Sequence, residues 1–216
     1  RGSGQMSENF GDLLDLAPEK AKEEPWSSLP DGGIIWVGRA KPEELPELYA
    51  LTQREVGENI TSLETLQNMQ KHNRDTVWGV YRASDNTRAD KTMVGYVALI
   101  FLNKAGLEAL EQSRFDGIDP DMRMVVPSDT RPEAIYMWVV VLRKISRVAG
   151  WLIANALGAE RYGGVPLFAT AGTSGGLNAL KGRGFTPHET QAGIGNLFRM
   201  DRPPYVPAAG SSSNAA

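Results

Sequence analysis

The stretch EAIYMWVVVLRKISRVAGWLIANAL, residues 133–157, decides how the rest of the chain is read. Its first half, Ala134 to Val141, is an apolar run rich in β-branched and aromatic residues, which predicts a strand. Its second half, Val148 to Leu157, carries an apolar face at helical spacing. Between them, Leu142-Arg143-Lys144-Ile145-Ser146-Arg147 forms a turn with three cations. A strand that enters a helix through a basic turn aims unpaired backbone N–H groups and positive charge at one point. That arrangement suits a pyrophosphate.

Downstream, Val165 to Ala171 reads as a second strand, followed by a short helix closed by Lys181-Gly182-Arg183-Gly184-Phe185. Two further β segments are expected near Thr186–Thr190 and Asn196–Met200. Upstream, residues 33–38 form a short β run. Pro42 then opens a helix with Leu45, Leu48, Tyr49 and Val56 on one side. Thr61 and Glu64 suggest a capping box for a second helix carrying Leu63, Leu66 and Met69. Thr76–Arg82 and Met93–Leu102 are strands joined by the polar loop 84–91. Residues 103–132 hold a helix from Lys104 to Ser113 and a loop rich in Pro, Asp and Met, long for a connection and therefore read as an insertion. The order is β-α-α-β-β-(insertion)-β-α-β-α-β-β. It predicts an α/β (α+β) domain with a mixed, mostly antiparallel sheet and helices on both faces.

The 216 residues suffice for one domain with a full core, placed at 32–202. Residues 1–31 read as an expression scar (Arg1 to Gln5, before Met6) and a poorly ordered lead-in, and residues 203–216 as a disordered tail. A net charge of −3 offers no field for nucleic acid. The absence of cysteine excludes disulfides and thiolate chemistry and permits a reducing compartment. No apolar run approaches the roughly 20 residues of a membrane span, and no secretory h-region precedes the domain. A cytoplasmic protein is expected. His72 and His188 lack metal-ligand spacing, so no metal site is expected.

This order of elements resembles the GNAT superfamily of N-acyltransferases, of which the chain would be a divergent member with splayed central strands. Members hold the coenzyme A pyrophosphate on a turn of pattern Arg/Gln-x-x-Gly-x-Gly/Ala. The matching positions here are Arg143, Lys144, Ile145, Ser146, Arg147 and Val148, with Ser146 and Val148 in place of the small residues. The family's last helix follows Asn-x-x-Ala-x-x-x-Tyr-x-x-x-Gly-Phe. Gly184-Phe185 fits it, Thr173 stands at the asparagine beside Ser174, and Leu180 replaces the tyrosine that protonates the leaving thiolate.

The resemblance implies direct attack of an amine on the thioester of acetyl-CoA or another acyl-CoA. A backbone N–H within Trp138, Val139 and Val140 would polarise the carbonyl. Glu133 and His188 are candidate bases, and Tyr136 is a stand-in acid that shares a strand face with Trp138. Thr173 and Ser174 would cap the last helix and touch the cofactor. The acceptor amine stays open, a modified nucleobase included, as does a homodimer. A scaffold of this fold that binds without catalysing is the alternative.

Overall fold

A computed structural model describes residues 26–57, 60–142, 146–171 and 174–206. Among the described residues, eight strands form one sheet. In chain order they are β1 (Trp26–Ser28), β2 (Ile34–Arg39), β3 (Val77–Ala83), β4 (Thr92–Leu102), β5 (Ala134–Leu142), β6 (Leu167–Thr170), β7 (Thr186–Thr190) and β8 (Gly193–Met200). They lie in the order β1-β2-β3-β4-β5-β6-β8-β7. Only the β5–β6 pair is parallel, and a right-sized crossover, α4 (Ser146–Leu157) with the one-turn α5 (Ala159–Tyr162), connects it. Helices α1 (Leu45–Val56), α2 (Leu63–His72) and α3 (Lys104–Glu111) precede that crossover, and α6 (Ser174–Lys181) follows it.

The strand alternation of β4 shows why its run reads as uninterrupted apolar sequence. Val97, Leu99 and Phe101 pack with Ala149, Leu152 and Ile153 of α4 and Leu180 of α6. Tyr96 and Ala98 meet Leu45, Leu48 and Leu66 of α1 and α2, and Ile100 and Leu102 meet Met69 and Leu110 of α2 and α3. A central strand with helices on both faces has no polar side to show.

The expected helix end at 181–185 forms as a Schellman turn. Phe185 N–H donates to Leu180 O at 3.1 Å and Gly184 N–H to Lys181 O at 3.2 Å. Phe185 and Leu180 both enter the core behind that turn. Gly184 sits at φ +84°, where a side chain is strained. Gly184→Ala is expected to destabilise the domain by about 1–2 kcal/mol, read from the urea midpoint.

Several elements differ from the sequence reading. Trp26–Ser28, placed in the unstructured lead-in, pairs with β2 as an edge strand; three residues carry no periodicity to find. The cap of α2 is Ser62, which accepts from Thr65 N–H at 3.0 Å, and not Thr61, whose buried Oγ1 has no hydrogen-bond partner among the described residues. α3 stops at Glu111 because Ser113 turns to φ +56°. β6 is shorter than the span 165–171, since only Leu167–Thr170 pairs. Of the tail from 203, residues 203–206 are described and the remainder is not. Among the described residues no helix is long and apolar enough to cross a membrane.

Candidate active site

The site is made by β5 gaining a residue. Its register against β4 runs Leu99↔Met137 and then Ala98↔Val139, so Trp138 is the extra residue of a β-bulge. A bulge bends its strand and increases the local twist. It also turns two successive side chains to one side: Trp138 and Val139 both pack against the cluster of α1 and α2, and Trp138 continues beside Tyr136.

On the other edge, β5 pairs with β6 over three positions only, Ile135↔Leu167, Tyr136↔Phe168 and Met137↔Ala169. From Trp138 to Leu142, β5 stays with β4 and has no β6 partner. β6 meanwhile follows β8, through Thr170↔Leu197 and Ala171 N–H to Asn196 O at 3.2 Å. The ladder between the two central strands therefore ends at Met137–Ala169, one residue before β6 itself ends at Thr170. Val140, which by alternation faces away from Val139 and Val141, is 46% exposed in the middle of an eight-stranded sheet. A central-strand valine at that exposure marks an open slot. Unpaired strand backbone along one wall suits an extended chain bearing amides, such as the pantetheine arm of coenzyme A.

At the mouth of the slot, α4 begins at Ser146, four residues after β5 ends, with Ala149, Leu152, Ile153 and Leu157 buried to fix its axis. Its first turn leaves backbone N–H groups unpaired, and the helix dipole adds partial positive charge. The expected anion-binding residues Arg143, Lys144 and Ile145 lie outside the described residues, as does Thr173. The backbones of Ser146, Arg147 and Val148 are the first turn of α4. Ser174 opens α6 and is exposed.

Tyr136 and Trp138 share a face, as the alternation suggested, and the insertion lies over them. Trp138 Nε1–H donates to Gly117 O at 2.6 Å, and the Phe115 ring meets Tyr136 edge-on at 5.6 Å. The Tyr136 hydroxyl is 3.0 Å from Thr170 Oγ1, at the fork where β6 leaves β5. Burial holds that phenol above its ordinary pKa, opposed in part by the Thr170 bond, so it is a protonated donor at neutral pH.

His188 reaches the same face from β7. Its ring stands edge-on to Phe168 at 5.2 Å, and Phe168 is the sheet neighbour of Tyr136. Its Nε2 lies 3.5 Å from Glu111 Oε1 at the end of α3. Glu111 escaped the sequence reading, because residues 77 apart become neighbours only through the sheet. Ser113 Oγ to Thr190 Oγ1 at 3.0 Å and Gln191 N–H to Glu111 O at 3.0 Å fasten the insertion to the β7–β8 hairpin. Glu133 is not brought to this group. It is exposed at the start of β5, five residues before the bulge, roughly 16 Å along the strand. Leu180, where the sequence resemblance would place a tyrosine, is buried in the core and has no proton to give.

No family model matches the chain, and no curated protein matches it. Among solved structures, it is similar to an acetyltransferase related to histone acetyltransferase HPA2 from Corynebacterium glutamicum. That match has 16% identity and TM-score 0.39, covering 80% of this chain and 97% of the other. Arabidopsis thaliana NAA60, solved with a bisubstrate analogue, aligns at 15% identity and TM-score 0.45 over 78% of this chain and 98% of its own. A mutant of the spermidine N-acetyltransferase SpeG of Vibrio cholerae gives 12% and 0.41 over 77% and 92%. At these identities and TM-scores the likeness leaves acyl donor, acceptor and reaction to the slot itself.

Proposed function

We propose that the protein is an acyl-CoA-dependent N-acyltransferase, transferring an acetyl group most simply. The observation that carries this reading is the slot opened by the Trp138 bulge, with exposed Val140 on its wall and the first turn of α4 at its mouth. The donor lies along Trp138–Leu142. Its pyrophosphate meets the N-terminus of α4, helped by the charges of Arg143, Lys144 and Arg147.

The acceptor amine approaches from the side of the insertion. Its nitrogen forms a bond to the thioester carbonyl carbon, whose oxygen is steadied by a backbone N–H within Trp138–Val140. The carbon–sulfur bond then breaks. Tyr136 supplies a proton to the departing thiolate in place of the tyrosine that Leu180 supplants. His188, held beside Glu111, takes the ammonium proton directly or through one water. Positioning carries much of the rate, since the slot converts encounter into an intramolecular step.

Release of free coenzyme A thiol from acetyl-CoA and longer acyl-CoA thioesters, with a panel of amines, tests the reading. Tyr136→Phe is expected to lower kcat about a hundredfold while leaving KM for the acyl donor nearly unchanged. An unaltered kcat would remove Tyr136 from the chemistry. A second reading, a binding module without turnover, is favoured by the apolar Leu180 alone. Binding of acetyl-CoA without thiol release on any amine would establish it.

A further inference from the structure

The bulge that opens the slot also aims a side chain at the insertion. Trp138 is the extra residue of β5, and its indole packs beside Tyr136 under residues 115–122. Its Nε1–H donates to Gly117 O at 2.6 Å. Among the described residues, the other hydrogen bonds of residues 116–121 stay inside the insertion. Asp116 Oδ1 accepts from Ile118 N–H at 2.8 Å and from Asp119 N–H at 3.2 Å, Asp121 takes Arg123, and Met124 N–H donates to Asp121 O at 2.9 Å. The Trp138 bond is thus the hydrogen bond that ties this loop to the sheet.

Packing holds the two flanks of the loop. Phe115 stands edge-on to Tyr136 at 5.6 Å, and Met122 packs against the same cluster. The tip between them has little to bury, since Gly117 carries no side chain and Ile118 is 47% exposed. That tip nonetheless rests against the phenol. A Cβ at Gly117 would lie 3.9 Å from Tyr136 Oη, which is ordinary contact, and Tyr136 is 8% exposed beneath it.

The loop is a roof over the Tyr136 hydroxyl, pinned to the residue whose main chain lines the slot. A carbonyl left without its donor in such a place is costly, so the indole bond favours the closed roof over an open one. Holding two reactants in line is much of what a transfer site does, and a small misplacement of either lowers the rate.

We propose that the Trp138 side chain is a positioning residue for the acceptor amine: its indole N–H holds residues 115–118 over Tyr136, and that roof is the wall against which the amine is seated. This role rests on the transferase reading, and it separates the two substrates. The donor runs along the main chain of Trp138–Leu142, whereas the indole serves the acceptor's side.

Trp138→Phe keeps a ring in place and removes the N–H. Tryptic cleavage after Arg114 or Arg123, which flank the roof, should run about three- to tenfold faster than in the parent, because cleavage follows the population of the open loop. In the thiol-release assay KM for the amine should rise by a similar factor, with KM for the acyl donor within about twofold of the parent's. Asp116 is exposed, and Asp116→Ala loosens the same roof through the Ile118 and Asp119 amides, so it too should raise KM for the amine and not for the donor. Unchanged cleavage in Trp138→Phe would overturn the latch, and faster cleavage with an unaltered amine KM would overturn the acceptor role. A parent that releases no thiol with any amine fails the transferase reading and the acceptor role with it. The cleavage difference, which needs no turnover, tells that outcome from a roof that is not held. Should Trp138→Phe not fold, Asp116→Ala decides, and an amine KM equal to the parent's overturns the role.

Discussion

Arg143→Glu combined with Arg147→Glu lowers affinity for coenzyme A on the order of a hundredfold or more while leaving the unfolding midpoint close to the parent's. Each charge-assisted hydrogen bond to a phosphate contributes roughly 1.5–3 kcal/mol, and every 1.4 kcal/mol is about tenfold in Kd. Removing two such hydrogen bonds reaches the hundredfold, and the added repulsion of two carboxylates against a diphosphate weakens binding further. The fold is spared because α4 is held by Ala149, Leu152, Ile153 and Leu157 on its buried side. Calorimetric titration of both proteins with coenzyme A supplies the comparison. Equal affinities would remove the basic turn from the site.

Asp75→Ala should cost about 3–5 kcal/mol, a large share of the roughly 5–15 kcal/mol that holds a domain together. The Asp75 side chain is 1% exposed and ties β2 and α5 to the segment before β3. It accepts from Tyr162 Oη at 2.5 Å and Arg161 Nη1 at 2.9 Å, both in α5, and from Arg39 Nε at 2.6 Å at the end of β2. Arg39 and Arg161 are 46% and 32% exposed, so solvent screens part of the attraction and the lower end of the range is expected. Truncation also leaves the Tyr162 hydroxyl, already raised in pKa by burial and by the neighbouring carboxylate, without its acceptor in the core. Urea unfolding would measure the change. A loss under about 1 kcal/mol would mean that water replaces Asp75 easily and that the cluster is not a structural tie.

Much of the frame was legible in the chain. The run from Ala134 is apolar at every position, and apolar spacing changes to helical beyond the basic turn, so β5 and α4 fall where the periodicity puts them. Gly184-Phe185 announced its helix end because a left-handed position and a buried residue just after it are sequence-level signals. The bulge was not legible. Trp138 sits among valines that would extend a regular strand equally well, and an extra residue is a property of the pairing with β4. The cap of α2 was misplaced by one residue because Thr61 and Ser62 are both competent caps, and packing chose Ser62. The pairing of His188 with Glu111 depends on β7 folding back beside α3, and nothing local to either residue foretells it. Glu133 was a natural candidate at a strand start, but the strand opens at its other end.

A structure determined with coenzyme A bound tests the central claim most directly. The pantetheine amides should lie along the unpaired edge of Trp138–Leu142, with the sulfur near Tyr136 and the pyrophosphate on the first turn of α4. Coenzyme A seated elsewhere, or β6 paired with β5 through Leu142, would contradict the account.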